Sequence, residues 1–75
     1  MIQVTVGTNV NRSRVVVSPD TTIRQVLENN DVNYETTNVH LDGASLQVGD
    51  IDKTFSDFNI QESCYLIAVA KADNA

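Results

Sequence analysis

The sequence is poor in the residue types that mark most catalytic and metal-binding sites. Its 75 residues hold one histidine, His40, and one cysteine, Cys64. A single cysteine excludes an internal disulfide and a metal site built from several thiolates. A reducing, cytoplasmic compartment is the simplest expectation, and neither a metal nor another cofactor is predicted.

Long hydrophobic runs are also absent, as is a basic N-terminal leader followed by an apolar core. No run approaches the roughly 20 apolar residues that span a bilayer. Positive charge is scarce, since ten acidic and five basic side chains give a formal net charge of −5. Such a field repels phosphate backbones and anionic lipid surfaces, so no nucleic-acid or membrane partner is expected.

What the sequence does contain predicts one small folded domain. Hydrophobic residues make up 41% of it and recur from Ile2 to Val69, which argues against disorder. A fold of this size buries only roughly 60% of the surface that its unfolded chain exposes, which favours binding over strained catalytic machinery. We expect a domain over residues 1–71 and a flexible tail over residues 72–75.

Three segments have the patterns of strands. Residues 2–6 alternate between aliphatic and other side chains, as in a half-buried strand. Turn formers fill residues 7–12 and a β-branched run follows at 14–18, which predicts an antiparallel hairpin. Residues 64–70 are almost continuously apolar, which predicts a last, central strand covered on both faces or nearly so.

Between these strands the sequence predicts one short amphipathic helix. Pro19 breaks the preceding strand, and any of residues 20–22 can cap a helix that starts near Thr22. Its apolar stripe has the spacing i, i+3, i+4, and consists of Ile23, Val26 and Leu27. Residues 29–31 then end it.

The segment after the helix predicts a strand, a tight turn and a shorter strand. Residues 39–41 alternate, Asp42-Gly43 suits the turn, and residues 45–48 return. Residues 50–60 then predict a helical turn anchored by Phe55 and Ile60. The order predicts an α+β fold, a β-grasp with a mixed four- to five-stranded sheet and one α-helix packed across it.

Three stretches resemble segments of the ubiquitin-like family. TFSDFNIQES at residues 54–63 resembles the family's TLSDYNIQKES with one residue missing. VSPDTTI at residues 17–23 resembles VEPSDTI, and LDGASL at residues 41–46 resembles FAGKQL. The similarity spans most of the sequence and implies the ubiquitin-like β-grasp fold.

The resemblance also implies a surface for binding. The family's usual recognition patch lies on the sheet face, and alignment places His40 and Ala68 at two of its positions. We expect Leu66 to lie beside them.

Two departures from the family pattern bear on conjugation. Conjugated members and sulfur carriers end in an exposed Gly-Gly, where this sequence has Ala72-Asp73-Asn74-Ala75. Lysines are limited to Lys53 and Lys71, so few sites exist for chains of modifiers. The resemblance with these departures implies a non-conjugated module.

Other candidate residues have two interpretations each. Arg12 and Arg14 lie two apart, so both point to one face of a strand, where they could meet an acidic partner or stay solvated. Tyr65 suits an interface anchor or a core position equally. Cys64 lacks an activating base, which favours packing over nucleophilic catalysis.

Asp50 and Asp52 bracket one apolar residue and could suggest a cation site. A calcium loop needs further oxygen ligands at regular spacing and a glycine turn, so solvated loop acids and helix caps explain the pair better.

We therefore predict a non-catalytic, cytoplasmic protein-interaction module, monomeric and of prokaryotic or phage origin, with a protein partner of unknown identity. Its predicted binding residues are Arg12, Arg14, His40, Leu66 and Ala68. Binding could use the sheet face or pair a strand with an exposed edge.

Two alternative functions stay open. One is a modifier or sulfur-carrier protein with an atypical C-terminus, and the other is a small structural or assembly subunit. An enzyme has the least support, because no motif places paired carboxylates or a nucleophile beside a base.

Overall fold

Strands and helices account for most of residues 1–8 and 10–70, the part of the chain that the computed structural model describes. The predicted tail at residues 72–75 lies outside this part. In chain order the elements are β1 (Ile2–Thr8), β2 (Arg12–Val17), α1 (Ile23–Asn29), β3 (Thr37–Leu41), β4 (Ala44–Ser45), a first 3₁₀ helix (Val48–Asp52), a second 3₁₀ helix (Ser56–Phe58) and β5 (Ser63–Ala70).

The strands form one mixed sheet in the order β2-β1-β5-β3-β4. β1 is antiparallel to β2 and parallel to β5, while β3 is antiparallel to both β5 and β4. The last strand therefore lies beside the first. The predicted α+β architecture, a mixed sheet with one helix packed on it, is confirmed.

Gly7 is required where the first hairpin tightens. Its φ is +151°, and a Cβ built on it would lie 2.2 Å from the backbone oxygen of Asn11. The same oxygen accepts a hydrogen bond from the Thr8 N–H at 2.8 Å. A side chain at residue 7 would therefore collide with the backbone that closes the turn.

Helix α1 begins at a capping box formed by Thr22 and Gln25. The Thr22 hydroxyl accepts a hydrogen bond from the Gln25 N–H at 3.2 Å, and the Gln25 side-chain oxygen accepts one from the Thr22 N–H at 3.1 Å. Two backbone donors that the helix leaves unpaired are thus satisfied. The helix start predicted near Thr22 is confirmed, and the predicted apolar stripe is buried.

The core lies between α1 and the face of the sheet that α1 covers. Phe55 is completely buried beside the helix start, where its N–H donates to the Thr21 carbonyl oxygen. Ile60 packs against the core but is only partly buried. The buried apolar set is Ile2, Val4, Val6, Ile23, Val26, Leu27, Val39, Leu41, Ile51, Phe55, Cys64, Leu66 and Ala68.

Strand β5 differs from the sequence expectation on one point. Its even-numbered side chains from Cys64 to Ala68 enter the core, whereas Tyr65 is exposed and Ile67 and Val69 are half-buried on the opposite face. The expectation that both faces are covered was wrong, because α1 packs on one face alone. An apolar strip therefore remains on the other face.

Replacing Phe55 by alanine should remove the largest buried side chain of the core. We expect a loss of about 3–5 kcal/mol in the free energy of unfolding, measured by urea denaturation, because the substitution leaves a cavity in the core. Val16→Ala is the matched control; Val16 is exposed, so its loss should stay within about 0.5 kcal/mol. Equal losses would contradict this assignment of the core.

Replacing Gly7 by alanine should destabilise the first hairpin. The positive φ and the short distance to the Asn11 oxygen predict a loss of at least about 1 kcal/mol, measured in the same way. Gly49→Ala serves as the control, since a Cβ there meets no atom within 4 Å. A neutral Gly7→Ala would show that the hairpin relaxes freely.

Candidate functional site

The candidate site is the sheet face opposite α1, here called the outer face. It consists of the strand side chains that alternate with the buried ones. These are Gln3, Thr5, Arg12, Arg14, Val16, Asn38, His40, Ser45, Ser63, Tyr65, Ile67 and Val69.

One row of the outer face crosses all five strands. Arg12 pairs with Gly7, Gly7 with Ile67, Ile67 with His40, and His40 with Ser45. Gly7 contributes no side chain, so the β1 flank of Ile67 is not covered by its strand neighbour. The row therefore places an aliphatic group between a guanidinium and an imidazole.

Apolar side chains on this face are open to solvent. Tyr65 is 55% exposed and Val16 is 61% exposed. Ile67 and Val69 are half-buried on the same strand as Tyr65. Tyr65, Ile67 and Val69 are contiguous along β5, whereas Val16 is separated from them by Gln3, and contiguous apolar side chains on a sheet face are typical of interaction surfaces.

Asp42 fixes the backbone of Tyr65. The Asp42 carboxylate accepts a hydrogen bond from the Tyr65 N–H at 2.8 Å, and the Asp42 N–H donates to the Tyr65 carbonyl oxygen at 2.8 Å. Asp42 adopts a left-handed conformation with φ 51°. These bonds extend the pairing of β3 with β5 by one residue and hold the start of the apolar strip in place.

The charges of the outer face have one sign. Arg12 and Arg14 lie on it, and none of its strand positions holds an acidic residue. Within residues 1–8 and 10–70 the ion pairs join Arg24 to Asp52 and Lys53 to Asp50. Arg12 and Arg14 thus have no carboxylate partner there, and they form a cationic area on an acidic protein.

The structure separates the residues predicted to bind a partner. His40, Arg12 and Arg14 lie on the outer face, and their role in binding stays a prediction. Leu66 and Ala68 are 0% exposed and belong to the core, so their placement on the sheet face was wrong. A shift of one residue in a strand exchanges its two faces, and the apolar run offers little alternation to fix it.

Ile67 and Val69 occupy the positions that sequence reasoning gave to Leu66 and Ala68. One signal in the sequence points to this arrangement: Ser63, Tyr65 and Lys71 place polar atoms at odd-numbered positions around the apolar run. Odd positions share one face of a strand, and the face with polar atoms faces solvent.

Solved structures of other proteins share this architecture over nearly the whole chain. A ubiquitin-like domain from Arabidopsis thaliana has a TM-score of 0.73 and 18% identity, with 99% of this chain and 81% of that chain covered. A ubiquitin-like protein from Trypanosoma brucei has a TM-score of 0.71 and 24% identity, with 95% of each chain covered.

The archaeal ubiquitin of Caldiarchaeum subterraneum has a TM-score of 0.67 and 12% identity, with 99% of this chain and 98% of that chain covered. The fold is the ubiquitin-like β-grasp. No known family model and no curated protein matches the sequence. At these identities the likeness establishes the fold, and the residues on its surface carry the argument about function.

Away from the outer face of this ubiquitin-like fold, a cluster of polar side chains links α1 to the first 3₁₀ helix and to the connection between α1 and β3. The Arg24 guanidinium contacts the Asp52 carboxylate at 2.7 Å and donates to the Tyr34 hydroxyl at 3.1 Å. The Tyr34 hydroxyl donates to Glu28 at 2.6 Å, and this bond raises the pKa of Tyr34. The hydrogen bond from Arg24 lowers the pKa of Asp52, which keeps the pair ionised.

The remaining candidates of the sequence have structural roles in the ubiquitin-like fold. The Asp50 carboxylate accepts the Gln47 N–H at 2.9 Å, and this bond, followed by one from Lys53, lowers the pKa of Asp50. No group of three or more His, Cys, Asp or Glu side chains in the described residues could hold a metal ion. None of the helices described is long and apolar enough to cross a membrane.

Cys64 should react slowly with thiol reagents while the ubiquitin-like fold is intact. It is buried, and burial, followed by the charge of Asp42, raises its pKa to about 11. Compared with an ordinary thiol of pKa 9.0, its thiolate fraction near pH 8 is about a hundredfold lower.

The measurement is the rate of modification by a disulfide reagent between pH 7 and 10, with protein unfolded in guanidinium chloride as the control. Near pH 8 the folded protein should react about a hundredfold more slowly, and the difference should narrow towards pH 10, where the thiol of the unfolded protein is already largely ionised. Equal rates would show that the thiol is accessible and open the nucleophile interpretation again.

Proposed function

We propose that this protein is a non-catalytic, non-conjugated ubiquitin-like module that binds another protein through its outer face. The observation that carries the proposal is the uncovered apolar strip of Tyr65, Ile67 and Val69 on the central strand β5. A strand at the centre of a sheet is held on both sides, so the strip presents a preformed surface that loses little entropy on binding.

The strip has the composition of a binding centre. Tyrosine combines a large apolar area with a polar tip and is common among residues that dominate interfaces. Burying a fully exposed aliphatic side chain in an interface stabilises the complex by roughly 1.5–3 kcal/mol. Ile67 and Val69 are already half-buried, so each of them contributes less. Three adjacent side chains can therefore form the apolar centre of an interface, with further contacts around them.

The charges beside the strip favour an acidic partner segment. Arg12 and Arg14 are exposed and lack carboxylate partners in the described part of the chain. Arginine binds carboxylates with two parallel hydrogen bonds, which gives orientation as well as attraction. A partner that combines aliphatic and acidic residues matches both features of the outer face.

Pairing at a strand edge is the alternative mode of binding. β2 has β1 as its neighbour on one side and lies at the edge of the sheet. A partner strand could add to this edge through backbone hydrogen bonds. A substitution at Ile67 distinguishes the two modes, because that side chain lies away from the β2 edge. It should weaken binding through the outer face and leave binding at the β2 edge unchanged.

The finer parts of the proposal depend on other observations. The buried, poorly ionised thiol of Cys64 supports a non-catalytic role. The non-conjugated role stays a prediction. Mass spectrometry after incubation with ATP and an activating enzyme tests the carrier alternative, which requires an adenylate or thiocarboxylate. A monomeric state, a cytoplasmic location and a prokaryotic or phage source stay predictions.

Charge placed in the apolar strip should strongly reduce partner capture. Tyr65→Asp and Ile67→Asp are compared with the wild type by affinity capture of the tagged protein and quantitative mass spectrometry. Loss of a central interface residue costs at least about 2 kcal/mol, so recovery of a specific partner should fall about 30-fold.

The control for this capture is Ser56→Asp, which places the same charge on an exposed residue of the second 3₁₀ helix, away from the outer face. All variants are first checked for an intact fold by circular dichroism. Unchanged recovery with both strip variants folded would remove the outer-face proposal. Loss with Ser56→Asp as well would show that added negative charge alone disrupts capture.

A further inference from the structure

A concave surface lies on the flank of the sheet farthest from β2. It is bounded by the connection from α1 to β3 on one side and by β4 with the first 3₁₀ helix on the other, and its volume is about 650 Å³. We call it the flank groove. Its principal lining residues are Tyr34, Glu35, Val39, Leu46, Val48 and Ile51.

The floor of the flank groove is apolar. Val39 and Ile51 are buried at its base, and Leu46 is half-buried against them. Val48 stands on the rim and is 89% exposed. An exposed valine beside an apolar floor leaves a pocket into which one aliphatic side chain of a partner can fit.

The groove exists because β4 is short. β4 pairs with His40 and Leu41 of β3, and the Leu46 N–H donates to the Val39 carbonyl oxygen at 2.8 Å. Along this side of β3, the strand pairing does not extend to Thr37. The exposed edge of β3 therefore borders the groove, as it does where an extended segment adds to a sheet.

One wall of the flank groove is held in place by the Arg24 cluster. The guanidinium of Arg24 lies 5.4 Å from the centre of the Tyr34 ring and is bonded to Asp52. Tyr34 is also bonded to Glu28. Arg24 itself lines the groove, and its bond to the Asp52 carboxylate holds this wall in place and offsets its charge, so the basic side chain of a partner is directed to the Glu35 side.

The other side of Tyr34 is acidic. A smaller concavity of about 390 Å³ adjoins the groove, shares Tyr34 and Glu35 with it, and is lined also by Glu28 and Asp31. Within the described residues none of these three carboxylates forms a salt bridge. The flank thus joins an apolar pocket to an acidic one across a single tyrosine.

We propose that the flank groove binds an extended segment of a partner protein in which a basic residue neighbours an aliphatic one. The aliphatic side chain enters the pocket over Val39 and Ile51, and the basic side chain lies against Glu35. The exposed edge of β3 offers backbone groups to the same segment. Asn38 and Ser45 border both surfaces, but the principal lining residues of the groove and its partner chemistry differ from those of the outer face, so the proposal stands independently of the proposed function.

Charge favours this occupant over the alternatives. Carboxylates at the pocket repel phosphate groups, which disfavours nucleotides and nucleic acid. A second copy of the chain has a net charge of −5 and would need to bring its few cationic residues into the groove. A basic segment of another protein matches the acidic side without that repulsion.

The test uses three synthetic peptides with the labelled full chain in NMR titrations. The probe alternates lysine and leucine, a second peptide has glutamate in place of lysine, and a third has serine in place of leucine. The probe should shift amide signals of residues 34–39 and 46–51. The other two peptides should bind about tenfold more weakly, since each lacks one of the two attractions.

Two variants locate the binding. Glu35→Lys should weaken the probe about fivefold by reversing one charge, and Val48→Asn should weaken it about fivefold by removing apolar contact. Glu62→Lys reverses an exposed acid outside the groove and should leave the affinity within about twofold. Ile67→Asp on the outer face should leave it unchanged as well.

Several results would overturn the proposal. These are the absence of binding by the lysine-leucine probe, signal shifts confined to the outer face, and equal weakening by Glu62→Lys and Glu35→Lys, which would indicate unspecific attraction. Self-association in light scattering that Val48→Asn abolishes would assign the groove to a second copy instead. Failure of Tyr65→Asp to disrupt partner capture would affect the outer face alone.

Discussion

A single helix of seven residues covers a sheet of five strands, and this imbalance shapes the rest of the molecule. Burial under α1 takes the even-numbered side chains of β5 and leaves the odd-numbered ones facing outward. The same strand therefore supplies the core with Leu66 and the opposite face with Ile67. The apolar strip follows from the number of layers in the fold, because a second covering layer is missing from the described structure.

Much of the fold could be predicted from short patterns in the sequence. The first hairpin follows from alternation and turn formers, and the helix start follows from Thr22 and Gln25. The burial of Phe55 follows from an aromatic residue among capping residues. These features depend on neighbours in the sequence, where local chemistry decides the structure.

The candidate sites could be predicted less well, since they depend on residues that are distant in the sequence. The facing of β5 is set by its pairing with β1, in which Val6 lies beside Leu66. The wall of the flank groove depends on the ion pair between Arg24 and Asp52, and no local sequence pattern predicts that contact. Identities of 12% to 24% with proteins of the same fold show how little of the surface such a fold prescribes.

The parallel pairing of β1 with β5 also has a consequence for biosynthesis. Val4 lies beside Cys64, so the two central strands come from the first and last elements of the chain. On the ribosome the first hairpin and α1 emerge early, but the sheet has no centre until β5 has left the exit tunnel. Closing so long a loop is slow compared with forming a local hairpin. The nascent chain should therefore expose the apolar inner side of β1 until β5 has emerged.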